Sequence, residues 1–83
     1  MASVPLSAQV VVRVGPPAPV RERIVPSPGR GYVWTPGYHR WDGRAYVWSP
    51  GAWVMPPRPH AHWVKAHWMH RGGGWVLVEG RWR

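Results

Sequence analysis

Apolar and polar positions are distributed unevenly along the chain. Before residue 32, short β-branched runs are broken by proline; from Tyr32 onward, aromatic rings return at near-constant intervals. Trp34-Thr-Pro-Gly-Tyr-His39 is followed by Trp48-Ser-Pro-Gly-Ala-Trp53, then Trp63-Val-Lys-Ala-His-Trp68, then Leu77-Val-Glu-Gly-Arg-Trp82. The opening positions are 14, 15 and 14 residues apart. The shared pattern is W-x-x-G-x-W, preceded twice by Tyr-Val (Tyr32-Val33 and Tyr46-Val47). It departs at His39 for the closing Trp, at Ala66 for Gly and at Leu77 for the opening Trp. A period of this length accommodates one strand and one turn. The predicted fold is therefore all-β: a single small antiparallel meander of about four Trp-rich strands, near 32–41, 44–54, 60–69 and 74–82, with an extended Pro-rich N-terminal arm.

The turn residues fit this division. Asp42-Gly43 suits a two-residue hairpin turn, whose central residues need positive φ. Met55-Pro-Pro-Arg-Pro59 makes a longer, stiff connection, and Arg71-Gly-Gly-Gly74 a third turn. Centring the first hairpin on 42/43 sets Trp34 opposite Gly51 and Trp48 opposite Gly37. The second would set Trp48 opposite Ala66 and Gly51 opposite Trp63. The third would set Trp63 opposite Gly80, Ala66 opposite Leu77 and Trp68 opposite Trp75. Each opening Trp then lies across from a small residue, because an indole can lie flat over a position without a side chain and cover its backbone. Gly is otherwise a poor strand residue. Opening and closing rings are five residues apart, which in a regular strand puts them on opposite faces. One bulge per strand, at Thr35-Pro36-Gly37 and Ser49-Pro50-Gly51, would bring them to one face. A single sheet of this size cannot bury both faces and leaves two edges unpaired. It must curl strongly, be covered by the arm, or be completed by a second copy or a partner.

Three segments result: 1–8, an arm or linker over 9–31, and the aromatic module 32–83. Met1 to Ala8 is uncharged and ends in Leu-Ser-Ala, so it reads as a secretory-signal remnant cleaved after Ala8, with an ordinary flexible terminus as the alternative. In the arm, Gln9–Val14 has strand composition, Gly15-Pro-Pro-Ala-Pro19 favours polyproline II, and Val20–Val25 is a weaker strand. Two roles are open: a solvated linker, or a strand that Val10–Val14 adds to a free sheet edge.

The W-x-x-G-x-W repeat, with its Tyr-Val-Trp-x-Pro-Gly form at 32–37 and 46–51, resembles the WxxGxW (YXWGXW) repeat family of small exported bacterial proteins, BcpO-related lipoproteins among them. The resemblance covers residues 32–82. It implies export to the periplasm, outer membrane or cell surface, and carries little about activity. The chain has no cysteine for a lipobox, so the lipoprotein form is not carried over.

Composition narrows the chemistry. The 83 residues allow one small domain. Ten Gly and 11 Pro oppose long helices. Absence of Cys removes disulfides, thiolate metal sites and a cysteine nucleophile. No apolar run has the length of a membrane span. The only acids are Glu22, Asp42 and Glu79, so no carboxylate pair is set up for acid–base work, and Ser49 has no orienting Asp–His pair; the chain is not expected to be an enzyme, and no cofactor is implied. Trp34, Gly37, Trp48, Gly51, Trp53, Trp63, Trp68, Trp75, Gly80 and Trp82 build the repeat, giving a non-enzymatic cell-envelope structural or interaction module whose open edges recruit itself or another envelope protein. The formal net charge is +8. Arg40, Arg44, Arg58, Lys65, Arg71 and Arg81 among flat rings form a candidate polyanion-binding set. For an exported protein, lipopolysaccharide, acidic glycan or an anionic lipid surface is favoured over nucleic acid; the plain alternative is that these charges keep a Trp-rich sheet in solution. His60, His62, His67 and His70, with Met55 and Met69 nearby, are candidate ligands for copper, zinc or nickel, against service as surface or stacked rings.

Overall fold

The computed structural model describes residues 10–83; the secretory-signal remnant expected over 1–8 lies outside them. The described chain is all-β, with eight short strands: β1 (Val33–Thr35), β2 (Tyr38–Trp41), β3 (Tyr46–Ser49), β4 (Ala52–Val54), β5 (Trp63–Val64), β6 (His67–Arg71), β7 (Gly74–Val78) and β8 (Arg81–Trp82). They pair antiparallel as β1 with β4, β2 with β3, β5 with β8 and β6 with β7.

These are two long hairpins, each interrupted once. In the first, Val33 to Thr35 pair with Val54 to Ala52, and Tyr38 to Trp41 pair with Ser49 to Tyr46. In the second, Trp63 and Val64 pair with Trp82 and Arg81, and His67 to Arg71 pair with Val78 to Gly74. His62 and Arg83 extend the same register through reciprocal backbone bonds of 2.7 and 2.8 Å. The four expected strands are thus present, but the expected ladder between 44–54 and 60–69 is not. Trp48 does not pair with Ala66, nor Gly51 with Trp63; the two hairpins stand side by side instead of forming one continuous meander. The Pro-rich connection 55–62 places His60 in the left-handed region (φ 64°), and only Ala61 to Arg58 closes a backbone bond within it, so it redirects the chain instead of closing a tight hairpin.

The register within each hairpin is displaced by two residues from that expected. Trp34 faces Trp53 and Trp48 faces His39; in the second hairpin Trp63 faces Trp82 and Trp68 faces Leu77. The first turn explains the displacement in the first hairpin. Asp42 is not one of its two central residues. Its carboxylate accepts from the N–H groups of Arg44 and Ala45, both at 2.8 Å, and its own N–H donates to Ala45 O. Gly43 and Arg44 therefore take the centre, with Gly43 at φ 104°. The second turn is the two-residue type: Gly72 and Gly73 both have positive φ, closed by the pair Arg71 and Gly74.

A shift of two leaves every side chain on its face. The register is also the same on both sides of each interruption, so neither strand carries an extra residue. The expected one-strand bulges are replaced by matched breaks, Pro36-Gly37 against Pro50-Gly51 and Lys65-Ala66 against Glu79-Gly80.

The molecule is thin, with extents of 42 × 36 × 17 Å. All eight Trp are half-buried, and Val12 of the arm, 3% exposed, is the single buried apolar residue among those described. The arm is part of the fold. Val12 exchanges both backbone bonds with Trp75 (2.9 and 2.7 Å), so the edge-strand role read into Val10–Val14 exists as a single bridge.

Two outcomes test this architecture. A Cβ at Gly37 would lie 2.5 Å from Trp48 Cζ2 and 2.6 Å from Ser49 O. Gly37→Ala should therefore cost about 1–3 kcal/mol in urea unfolding followed by Trp fluorescence; an unchanged midpoint contradicts the packing. Separately, the two backbone N–H groups hold the Asp42 carboxyl below its usual range. Their stabilisation is present above the unfolded carboxyl's pKa and fades as pH falls through the lower folded value. An NMR titration should show the Arg44 and Ala45 amide signals moving with Asp42, with a midpoint below the ordinary Asp range.

Candidate interaction site

The matched breaks create a site that no single residue type announces. Pro36 and Pro50 have no N–H, and each is followed by a glycine whose N–H lies outside the ladder. Both N–H groups turn toward one carboxylate from the arm. Gly37 N donates to Glu22 Oε1 at 2.9 Å and Gly51 N to Glu22 Oε2 at 2.8 Å. Charge-assisted bonds of this kind are roughly twice as strong as neutral ones.

Indoles wall the carboxylate. Trp48 covers Gly37, and Trp34 covers Gly51, where a Cβ would fall 2.6 Å from Trp34 Cζ2 and 2.8 Å from Glu22 Oε1. Trp63 covers Gly80 in the same way in the second hairpin, with Cη2 2.8 Å from the Cβ position. The ring-over-glycine contact expected for Trp34, Trp48 and Trp63 is present in all three. It is diagonal, however: each indole faces a closing aromatic and leans over the glycine two residues before it.

The facing rings pack edge-on with nearly constant geometry. Trp34–Trp53 centroids are 5.5 Å apart at 62°, His39–Trp48 4.9 Å at 66° and Trp63–Trp82 5.1 Å at 62°. Such pairs contribute about 0.5–1.5 kcal/mol each beyond their burial. His39 thus fills the closing-Trp position as a flat ring. The fourth pair, Trp68 with Leu77, has no second ring, and Trp68 turns to the other hairpin: its Nε1–H donates to His39 O at 2.7 Å, and its ring meets Tyr46 at 5.2 Å.

Three further contacts hold the arm. Trp53 Nε1–H donates to Val25 O at 2.8 Å. The Tyr46 hydroxyl donates to Val14 O, and burial pushes its phenol above the ordinary range. Trp75 packs beside Gly15, and its ring centroid lies 4.9 Å from that of His70. The sequence pattern places Glu22 in a linker and offers Val10–Val14 as an edge strand, but does not assign the Glu22 bridge or the Val14 and Val25 carbonyls as acceptors. One signal was available: Glu22 is the arm's only acid, set inside a β-branched run opposite two Pro-Gly steps whose amides lack ladder partners.

The remaining candidates are placed as follows. His60, His62, His67 and His70 do not assemble: among the described residues no three His, Asp or Glu side chains come close enough to hold a metal ion. His60 sits in the connection, His67 and His70 fall on opposite sides of β6, and His67 Nδ1 lies 3.1 Å from Lys65 O. Arg40, Arg44, Arg58, Lys65, Arg71 and Arg81 are all exposed and spread over both hairpins and the connection. Two of the three carboxylates, Glu22 and Asp42, are engaged by backbone N–H groups. Among the described residues there is no helix long and apolar enough to cross a membrane.

Glu22→Gln keeps one oxygen acceptor and turns an amide NH2 toward the other glycine. It should cost about 1–3 kcal/mol of stability and move the Gly37 and Gly51 amide signals upfield. Unchanged signals for both glycines would remove the carboxylate bridge.

No curated protein and no solved structure matches the chain. The family model for the WXXGXW repeat matches it twice, over residues 29–54 and 62–83, and each match encloses one complete hairpin. The interrupted hairpin, with its facing rings and covered glycine, is thus the repeating unit, and the chain belongs to the WXXGXW repeat family.

Proposed function

We propose that the chain is a non-enzymatic, exported module of the cell envelope that works by contact. The observation carrying this role is the way the module holds its own arm. An extended segment is retained by one ladder bridge at Val12, one carboxylate on two amides at Glu22, and side-chain donors on Val14 O and Val25 O. These are the means by which β-modules take up extended peptides. Apart from the Val12 bridge, the outer edges of both hairpins have no ladder partner among the described residues, and the rings that would meet a partner are half-exposed. Export is supported by the family resemblance and by the composition of residues 1–8.

A second role, binding of an acidic glycan or another polyanion, is favoured by one specific cavity. It has a volume of about 280 Å³ between the arm and the two hairpins, and its walls include Pro17, His39, Trp48, Trp68 and Lys65. Flat rings beside a cation suit a charged sugar.

Salt separates the two roles. Sedimentation of the full chain, alone and with lipopolysaccharide, should show edge-mediated association that persists as ionic strength rises, because ladder bonds and ring contacts are weakly screened. A steep loss of all association with salt would favour the polyanion role. A chain that stays monomeric, binds nothing and is recovered outside the envelope fraction would overturn both.

A further inference from the structure

The two hairpins are copies of one unit, so the donors that hold Glu22 in the first have counterparts in the second. By register, Gly51 corresponds to Gly80, Gly37 to Ala66, Trp34 to Trp63 and Trp48 to Leu77. In the first hairpin both break amides donate to a carboxylate. In the second, neither Ala66 N–H nor Gly80 N–H donates to any described residue. A third donor adjoins them. Trp63 Nε1 is buried and has no hydrogen-bond partner among the described residues. It belongs to the ring edge that covers Gly80, where Cε2 lies 3.1 Å from the Cβ position. Buried donors of this kind are normally satisfied.

We propose that this second break is a binding site for a carboxylate carried on an extended, β-branched segment of a partner chain. The inference deepens the contact role proposed above and rests on it. The ligand's chemistry is set by the first hairpin, where the same backbone arrangement takes a glutamate from the run Val20-Arg-Glu-Arg-Ile-Val25. Its position is set by the two substitutions. In the first hairpin a methyl on Gly37 would lie 2.8 Å from Glu22 Oε1 and 2.5 Å from Trp48 Cζ2. Leu77 in place of Trp48 makes room for the Ala66 methyl, but that methyl still displaces the carboxylate. The bound group therefore sits toward Gly80 N–H and Trp63 Nε1–H, with Ala66 N–H as the outer donor. Lys65, exposed where the first hairpin has Pro36, supplies the positive charge next to it, while exposed Glu79 flanks the other strand and selects for a ligand that approaches from the Lys65 side.

The probe is the capped peptide acetyl-Val-Arg-Glu-Arg-Ile-Val-amide, titrated into the isotopically labelled full chain. The Gly80 and Ala66 amide signals and the Trp63 indole signal should shift downfield together. The same peptide with Glu22→Gln should bind about tenfold or more weakly, the factor expected for losing a charge-assisted bond. Ala66→Gly in the full chain should tighten binding severalfold, because it removes the displacing methyl, an effect that a purely structural role for Ala66 would not produce. Shifts confined to Gly37 and Gly51 would mean that the peptide merely exchanges with the arm. That result, equal binding of the Glu and Gln peptides, or no shift at Gly80 overturns the site. The sedimentation result is independent of these signals, so the contact role and the carboxylate site can fail separately.

Discussion

An indole can lie flat on a strand only where the backbone beneath it carries no Cβ. The three opening tryptophans meet that condition at Gly37, Gly51 and Gly80, and most other features of the structure follow from it. The contact favours the observed register, in which each ring faces a closing aromatic and leans over the glycine two residues before it. It also protects the matched breaks. A strand interrupted by Pro-Gly loses ladder bonds and exposes amides, yet a ring covering each glycine shields that amide from water and strengthens any charge-assisted bond it makes. The glycine that ordinarily weakens a strand here supplies both a seat for the ring and a free donor.

The carboxylate of Glu22 is the other half of the arrangement. Two half-buried N–H groups directed at one point require an acceptor, and the arm brings it. That contact makes a segment of linker composition part of the fold. With Val12 on Trp75 and Tyr46 on Val14 O, the arm touches both hairpins and covers what two isolated ribbons cannot cover for themselves. Two-stranded ribbons are marginal alone in water. At 17 Å thick, this fold gains its stability from ring pairs and arm contacts and not from a closed apolar interior.

What was legible in the sequence was the period. Four W-x-x-G-x-W copies placed every strand and assigned each opening Trp to its glycine, because that contact depends on residue type at fixed spacing. Three things were not legible. The two-residue displacement arose in the turns: in the first, the Asp42 side chain competes for the turn amides and moves Gly43 to the first central position, and in the second Gly72 and Gly73 take the centre. The split into two hairpins follows from the Pro-rich connection 55–62, which redirects the chain, and the Trp68 indole N–H then bridges the hairpins by donating to His39 O. The role of Glu22 was hidden because its partners are backbone groups, which have no signature beyond the proline before each of them. The histidines are placed by strand geometry and ring packing. Nearness along the chain suggested a cluster, but strand alternation separates His67 from His70, and aromatic packing takes His39 and His70 as rings.

The differences between the two hairpins are correlated and not scattered. Where the first has a bulky ring over glycine at one break, Trp48 on Gly37, the second has a smaller residue and a methyl, Leu77 and Ala66; where the ring is kept, Trp63, the glycine beneath it is kept as well, Gly80. The smaller residue is matched by an added methyl at that contact, while the prolines are replaced by Lys65 and Glu79. Packing alone requires the first change but not the second, since proline at a matched break satisfies the fold in hairpin one. Charged residues at those positions add polar character beside the Ala66 and Gly80 amides, which donate to no described residue, whereas at the first break the two glycine amides hold Glu22.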